Sequence, residues 1–162
     1  VTAAASRSAL AAGLLLLVAV LLVRVVLAPR YPLLDGTLEV ARDGGATVAT
    51  ARWATDGPVP ERRRDCTTTV LVLPPPGALQ VRAEGDAAAL EPGAREVERV
   101  LDQYGRVLPA DLPSRVRAWA LPAGEAGSLT ATWDGGGDPS AVRAWVAPVC
   151  PETVHGIVEL SR

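Results

Sequence analysis

Phenylalanine, methionine and lysine are missing from the 162 residues, histidine occurs once and cysteine twice. The single histidine, His155, excludes a metal site built on several imidazoles, and the cysteines lack zinc-site spacing. Excess charge is lacking too: 16 arginines stand against 18 acids, a formal net charge of −2. That balance gives no electrostatic case for nucleic acid. The glycine-rich stretch Asp134-Gly135-Gly136-Gly137-Asp138 has no P-loop lysine and opens no helix, and it lacks the alternating ligands and closing glutamate of an EF-hand. It is read as a hairpin loop. No serine stands in a nucleophile-elbow context. No catalytic, cofactor-binding or metal-binding residue is therefore assigned, and the chain is read as a non-enzyme. A hydrolase built on His155 is the enzymatic alternative.

What the sequence has instead is one long apolar run. Residues 9–28, ALAAGLLLLVAVLLVRVVLA, are apolar except for Arg24. At about 1.5 Å of rise per residue they reach roughly 30 Å, the thickness of a bilayer's hydrocarbon core. The run predicts a single N-terminal transmembrane helix, preceded by a short tail (1–8) and followed by a linker (29–36). Arg24 stands close enough to the end for its guanidinium to snorkel to the headgroups; its sharper reading is an intramembrane contact with a partner helix. Val26-Leu27-Ala28 resembles a signal-peptidase site, but Pro29 would obstruct cleavage, so a retained anchor is expected. Flanking charges nearly cancel, with Arg7 on one side and Arg24 and Arg30 on the other. Orientation therefore rests on the cysteines and prolines of the cargo, which suit an oxidising compartment. The expected location is the cytoplasmic membrane of a bacterium, single-pass, with the C-terminal domain extracytoplasmic (periplasmic). The bacterial source is read from the arginine-only cations and the abundance of alanine and valine.

Residues 37–162 are expected to form that domain. Thr37–Arg42 and Ala46–Trp53 alternate around Asp43-Gly44-Gly45 and predict a β-hairpin. The run Glu61-Arg62-Arg63-Arg64-Asp65 is bracketed by acids and is read as a solvated loop, with a lipid-phosphate or partner-docking patch as the alternative. Thr67–Leu73 reads as a buried strand. Pro74-Pro75-Pro76-Gly77 ends it, and Leu79, Val81 and Ala83 mark another, so this half is expected to hold two consecutive hairpins. Val97, Val100, Leu101 and Tyr104 recur at helical spacing, with Pro92 in the first turn and Gly105 as C-cap. Glu96–Arg99 and Asp102–Arg106 are expected surface pairs. Further strands are expected over Arg115–Leu121, Ser128–Trp133, Ala141–Ala147 and Thr153–Leu160. The fold class is thus a mainly-β, two-layer sandwich of about eight strands with one inserted helix; an α+β open sheet covered by the helix is the alternative.

Two segments echo each other: Val116-Arg117-Ala118-Trp119 and Val142-Arg143-Ala144-Trp145. Alternation puts Arg117 with Trp119, and Arg143 with Trp145, on one face of each strand. If the strands are neighbours, the four residues form one aromatic and cationic face, either structural or a surface for envelope glycan, peptide or lipid. Cys66 and Cys150 flank strands, and only one intrachain disulfide is available to them. The function these features predict is a non-catalytic accessory, structural or assembly subunit of a larger membrane protein complex. Its partners would be membrane lipid and other subunits, with no cofactor and no nucleic acid. The alternative is a membrane-tethered binding module.

Overall fold

The structure, a computed structural model, describes residues 13–23, 31–63, 65–85, 87–135 and 137–162. The chain divides into a unit ending at residue 30 and a second unit, Tyr31–Arg162. In the first, residues 13–23 form a helix, α1. No helix among the described residues is long and apolar enough to cross a membrane. The remainder of the expected span, residues 9–12 and 24–28 with Arg24 among them, lies outside the described residues, as does the tail 1–8.

The second unit is mainly β. Strands β1 (Leu34–Asp43), β2 (Ala46–Thr55), β4 (Leu79–Glu84) and β7 (Ala126–Asp134) form one sheet in the order β1-β2-β7-β4. Strands β3 (Thr67–Leu73), β5 (Ala88–Leu90), β6 (Arg117–Pro122), β8 (Arg143–Val149) and β9 (Val158–Glu159) form a second, β5-β6-β3-β8-β9. Every strand pairing is antiparallel. Helices α2 (Arg95–Tyr104) and α3 (Leu112–Arg115) complete the unit.

The β1–β2 hairpin closes at Asp43↔Ala46 around Gly44 and Gly45, both at positive φ, where a side chain would strain the turn. Inward residues of the first sheet, including Ala51, Trp53, Leu129 and Trp133, meet Val70, Val72, Trp119 and Val146 of the second in one buried cluster. The same cluster holds Ala49, Ala131 and Ala144, so small and large side chains fill the layer together. Strand β3 lies between β6 and β8, and its other face joins a second cluster, in which Leu71, Trp145 and Val149 pack on Val97 and Val100 of α2 and on Leu112 of α3. Burial on both faces explains why Val70–Leu73 is apolar without interruption. The expected sandwich is therefore present with a helical layer on the back of one sheet, a feature of the α+β alternative.

Several local expectations need correction. Strands β3 and β4 do not form a hairpin, because they belong to different sheets. The three prolines supply no backbone donors for a hairpin ladder, and they carry the chain from one sheet to the other. Strand β4 also carries a bulge between Leu79 and Arg82, where Gln80 has φ 51°. The linker ends early, since β1 begins at Leu34. Pro92 precedes α2 in a turn outside the helix, and Gly105 caps it in right-handed geometry. Arg99, expected to pair with Glu96, donates from Nη1 to the Cys150 carbonyl at 2.5 Å. Thr153–Leu160 is not one strand: Val154 bridges Val149, and pairing resumes only in β9. On the side of Val154 away from β8, the Gln103 amide donates to the Val154 carbonyl (3.0 Å) and accepts from the Val154 N–H (3.2 Å), so this edge is satisfied by a side chain and not by another strand.

Gly127 in β7 stands directly across from Trp53 of β2, and the indole lies over it. A Cβ there would fall 2.4 Å from a ring carbon of Trp53. Gly127→Val is expected to lower stability by about 1–3 kcal/mol through overpacking, read as a lower urea midpoint with an unchanged m-value.

Candidate functional site

The echoed segments do not make one face. Strands β6 and β8 flank β3 with registers offset by one residue: Val70 lies between Trp119 and Val146, while Leu71 lies between Ala118 and Trp145. In a sheet a one-residue offset reverses the face. Trp119 accordingly lies in the inter-sheet core and Trp145 in the helix-covered core, 4% and 3% exposed. Arg143 does stack on Trp145, with its guanidinium carbon 4.9 Å from the ring centroid, and it clamps Glu159 of β9 through Nε (2.6 Å) and Nη2 (2.7 Å). This bidentate contact holds the Glu159 carboxyl below the usual carboxylate range. Arg117 stays exposed, on the other face of the sheet from Arg143. Arg143 and Trp145 are thus one structural pair, while Arg117 and Trp119 fall on the opposite side of the same sheet. Asp138 caps the turn Pro139–Ala141 by accepting from the Ser140 N–H (2.8 Å), but the expected hairpin loop is not one: β7 and β8 lie in different sheets, so this connection carries the chain across the layers. Among the described residues no group of three or more His, Cys, Asp or Glu side chains is placed to hold a metal ion.

Polar chemistry converges instead at one end of the second unit. Cys66, just before β3, and Cys150, just after β8, form the expected disulfide across a sequence separation of 84. Their strands are adjacent, and Thr67↔Val149 is the terminal register pair, so the two cysteines emerge side by side. Tyr31 packs on this disulfide with Val59 and Ala123. Tyr31 is buried, and desolvation raises its hydroxyl pKa. Its ring stacks on His155, centroids 5.4 Å apart and planes within 15°.

The disulfide also fixes two loops. On one side the helical turn Glu61–Arg63 is held by Arg63 N–H to the Pro60 carbonyl (2.8 Å) and Cys66 N–H to the Arg63 carbonyl (3.0 Å). On the other, Cys150 N–H donates to the Thr153 carbonyl (2.9 Å), closing a turn through Pro151 and Glu152. Between them is a cavity of about 180 Å³ lined by Arg63, Asp65, Cys66, Cys150, Pro151 and Glu152. Two buried nitrogens in this region, Arg63 Nε and His155 Nε2, have no hydrogen-bond partner among the described residues. Burial first, then the positive charge of Arg63, lowers the His155 pKa. Sequence reasoning found the cysteines and weighed the arginine run, but nothing local linked Tyr31 to His155.

Because protonation of His155 is disfavoured in the folded state, the unfolded chain binds more protons between the folded pKa and the ordinary value near 6.5. Stability should therefore be complete above about pH 6.5 and fall as pH drops toward the lowered folded pKa. Thermal melts between pH 7.5 and 5 should show this slope, and His155→Gln should flatten it.

Neither a protein-family model nor a curated protein sequence matches this chain.

Proposed function

We propose that the chain is a non-catalytic accessory or assembly subunit of a bacterial membrane complex, anchored by one transmembrane helix and presenting its β-sandwich to partners outside the cytoplasm. The observation that carries this reading is α1: residues 13–23 are all apolar or glycine, and every one is exposed, Leu15 at 70% and Leu16 at 71%. Exposed leucines in succession call for lipid or another protein around them. The disulfide supports an oxidising, extracytoplasmic setting. A partner surface is supported by the first sheet, whose outward residues at Thr37, Thr50, Ser128, Thr130 and Thr132 are short and partly or fully exposed, rimmed by the Glu39–Arg52 ion pair and Arg82. A recognition module built on Trp119 and Trp145 has less support, because both indoles are inside.

The test is a photo-crosslinking amino acid at Thr50 or Thr132 in the native membrane, followed by purification in mild detergent. The expected result is a defined heteromeric adduct from the sheet positions and none from a control position such as Val107. A chain that yields no adduct and always runs as an isolated monomer overturns the proposal. A phosphatase fusion after Arg162 checks orientation.

A further inference from the structure

We infer that the cavity beside the Cys66–Cys150 disulfide is a binding site for a phosphoethanolamine headgroup, an ammonium joined through two carbons to a phosphate ester. The inference rests on the membrane-anchored reading only for the source of the ligand, which we assign to the lipid of the surrounding bilayer.

The chemistry of the lining sets the class. Arg63 contributes a guanidinium whose Nε is buried and without a hydrogen-bond partner among the described residues. A buried, unpartnered donor on a permanently charged group is costly, and a phosphate oxygen is the acceptor that suits it. The same cavity carries Asp65 and Glu152, which a simple anion would not tolerate at close range. An ammonium satisfies them. Among the described residues the lining holds one cation and two carboxylates, which fits a zwitterion better than phosphate or a bare amine. Its volume, about 180 Å³, admits a headgroup and not a large ligand. His155, with its own unpartnered Nε2, lies close enough for the Arg63 charge to act on its titration.

The lining is also preorganised. Arg63 and Asp65 are on the loop leading into Cys66, and Glu152 on the turn leaving Cys150, so one covalent bond holds Glu152 across from Arg63, while Asp65 stands two residues from Arg63 on the same loop. Tyr31, packed on that disulfide, stands three residues after the apolar run in sequence.

His155 is the only histidine, so its imidazole is a single spectroscopic reporter. The full chain, labelled with 15N-histidine in maltoside micelles, is titrated with glycerophosphoethanolamine and, separately, with glycerophosphate. A saturable shift of the His155 nitrogens is expected with glycerophosphoethanolamine at a concentration at least tenfold lower than with glycerophosphate. Arg63→Gln should abolish the shift, and Asp65→Asn with Glu152→Gln should erase the tenfold preference while leaving the glycerophosphate response. Unchanged tryptophan indole resonances verify that each variant is folded. No saturable shift, equal response to both esters, or a response indifferent to Arg63→Gln overturns the inference. Nanodiscs then decide the source: phosphatidylethanolamine should reproduce the shift and phosphatidylcholine should not. A response to the soluble ester alone overturns the lipid assignment. The crosslinking experiment on the first sheet does not depend on any of these outcomes, so the two proposals fail separately.

Discussion

Replacing Cys66 and Cys150 together by alanine is expected to cost about 4.5 kcal/mol of folding stability, the chain-entropy value for a loop closed over a separation of 84 residues. Domains of this size hold a net stability of about 5–15 kcal/mol, so most or much of it is at stake. Both cysteines are buried at 3% exposure, and Tyr31 packs over them. Reductant added to the folded protein should therefore act slowly, with the rate rising in step with added urea as unfolding exposes the bond. The check is a urea titration of the double variant beside the oxidised parent. An unchanged midpoint would mean that the reduced chain already has the loop closed by other contacts.

Trp133→Ala should have an effect nearly as large. The side chain is 1% exposed and lies in the layer between the sheets. Truncating a buried aromatic costs about 3–5 kcal/mol through lost transfer energy and the cavity left behind. Its indole N–H, however, is buried without a hydrogen-bond partner among the described residues. Deleting an unsatisfied donor returns about 1–3 kcal/mol, which places the expected loss at the lower end of the range. Trp133→Phe separates the two effects, because it removes the N–H while keeping most of the ring. A nearly neutral midpoint for phenylalanine and a loss of about 3 kcal/mol for alanine is the expected pattern in urea titrations. Should both variants lose stability in proportion to volume alone, the orphaned N–H carries no energetic weight.

Legibility in the sequence followed the range of the interactions. The β1–β2 hairpin and strand β3 were readable because period-2 alternation, a Gly-Gly turn and a continuous apolar run are local signals. Helix α2 was readable from Val97, Val100, Leu101 and Tyr104 for the same reason. Sheet membership was not. The prolines between Leu73 and Leu79 argue against a ladder there, but which sheet the next strand joins depends on which strand's edge each segment meets later in the chain. The Arg-Ala-Trp echo misled because identical segments were assumed to present identical faces, whereas pairing with β3 at registers one residue apart turns one indole inward and the other toward α2. Of the candidate site, the disulfide was legible because two cysteines admit one pairing. The Tyr31–His155 stack was not, because it joins residues near opposite ends of the domain.

The outer edge of β1 is closed by chain that arrives much later. Leu38 N–H donates to the Ser161 carbonyl at 2.7 Å, Thr37 bridges Ser161 in parallel, and the Ser161 hydroxyl reaches the Gly36 carbonyl across 125 residues of sequence. During synthesis or export, the first strand of the domain therefore leaves a backbone edge open until nearly all the rest has emerged. At roughly 5–20 residues per second, that exposure lasts on the order of ten seconds. An unpaired strand edge is a template for another chain. In a polysome or a crowded translocation site the neighbouring copies are the nearest such chains, so the folding hazard of this domain is concentrated in that interval and scales with how densely it is being made.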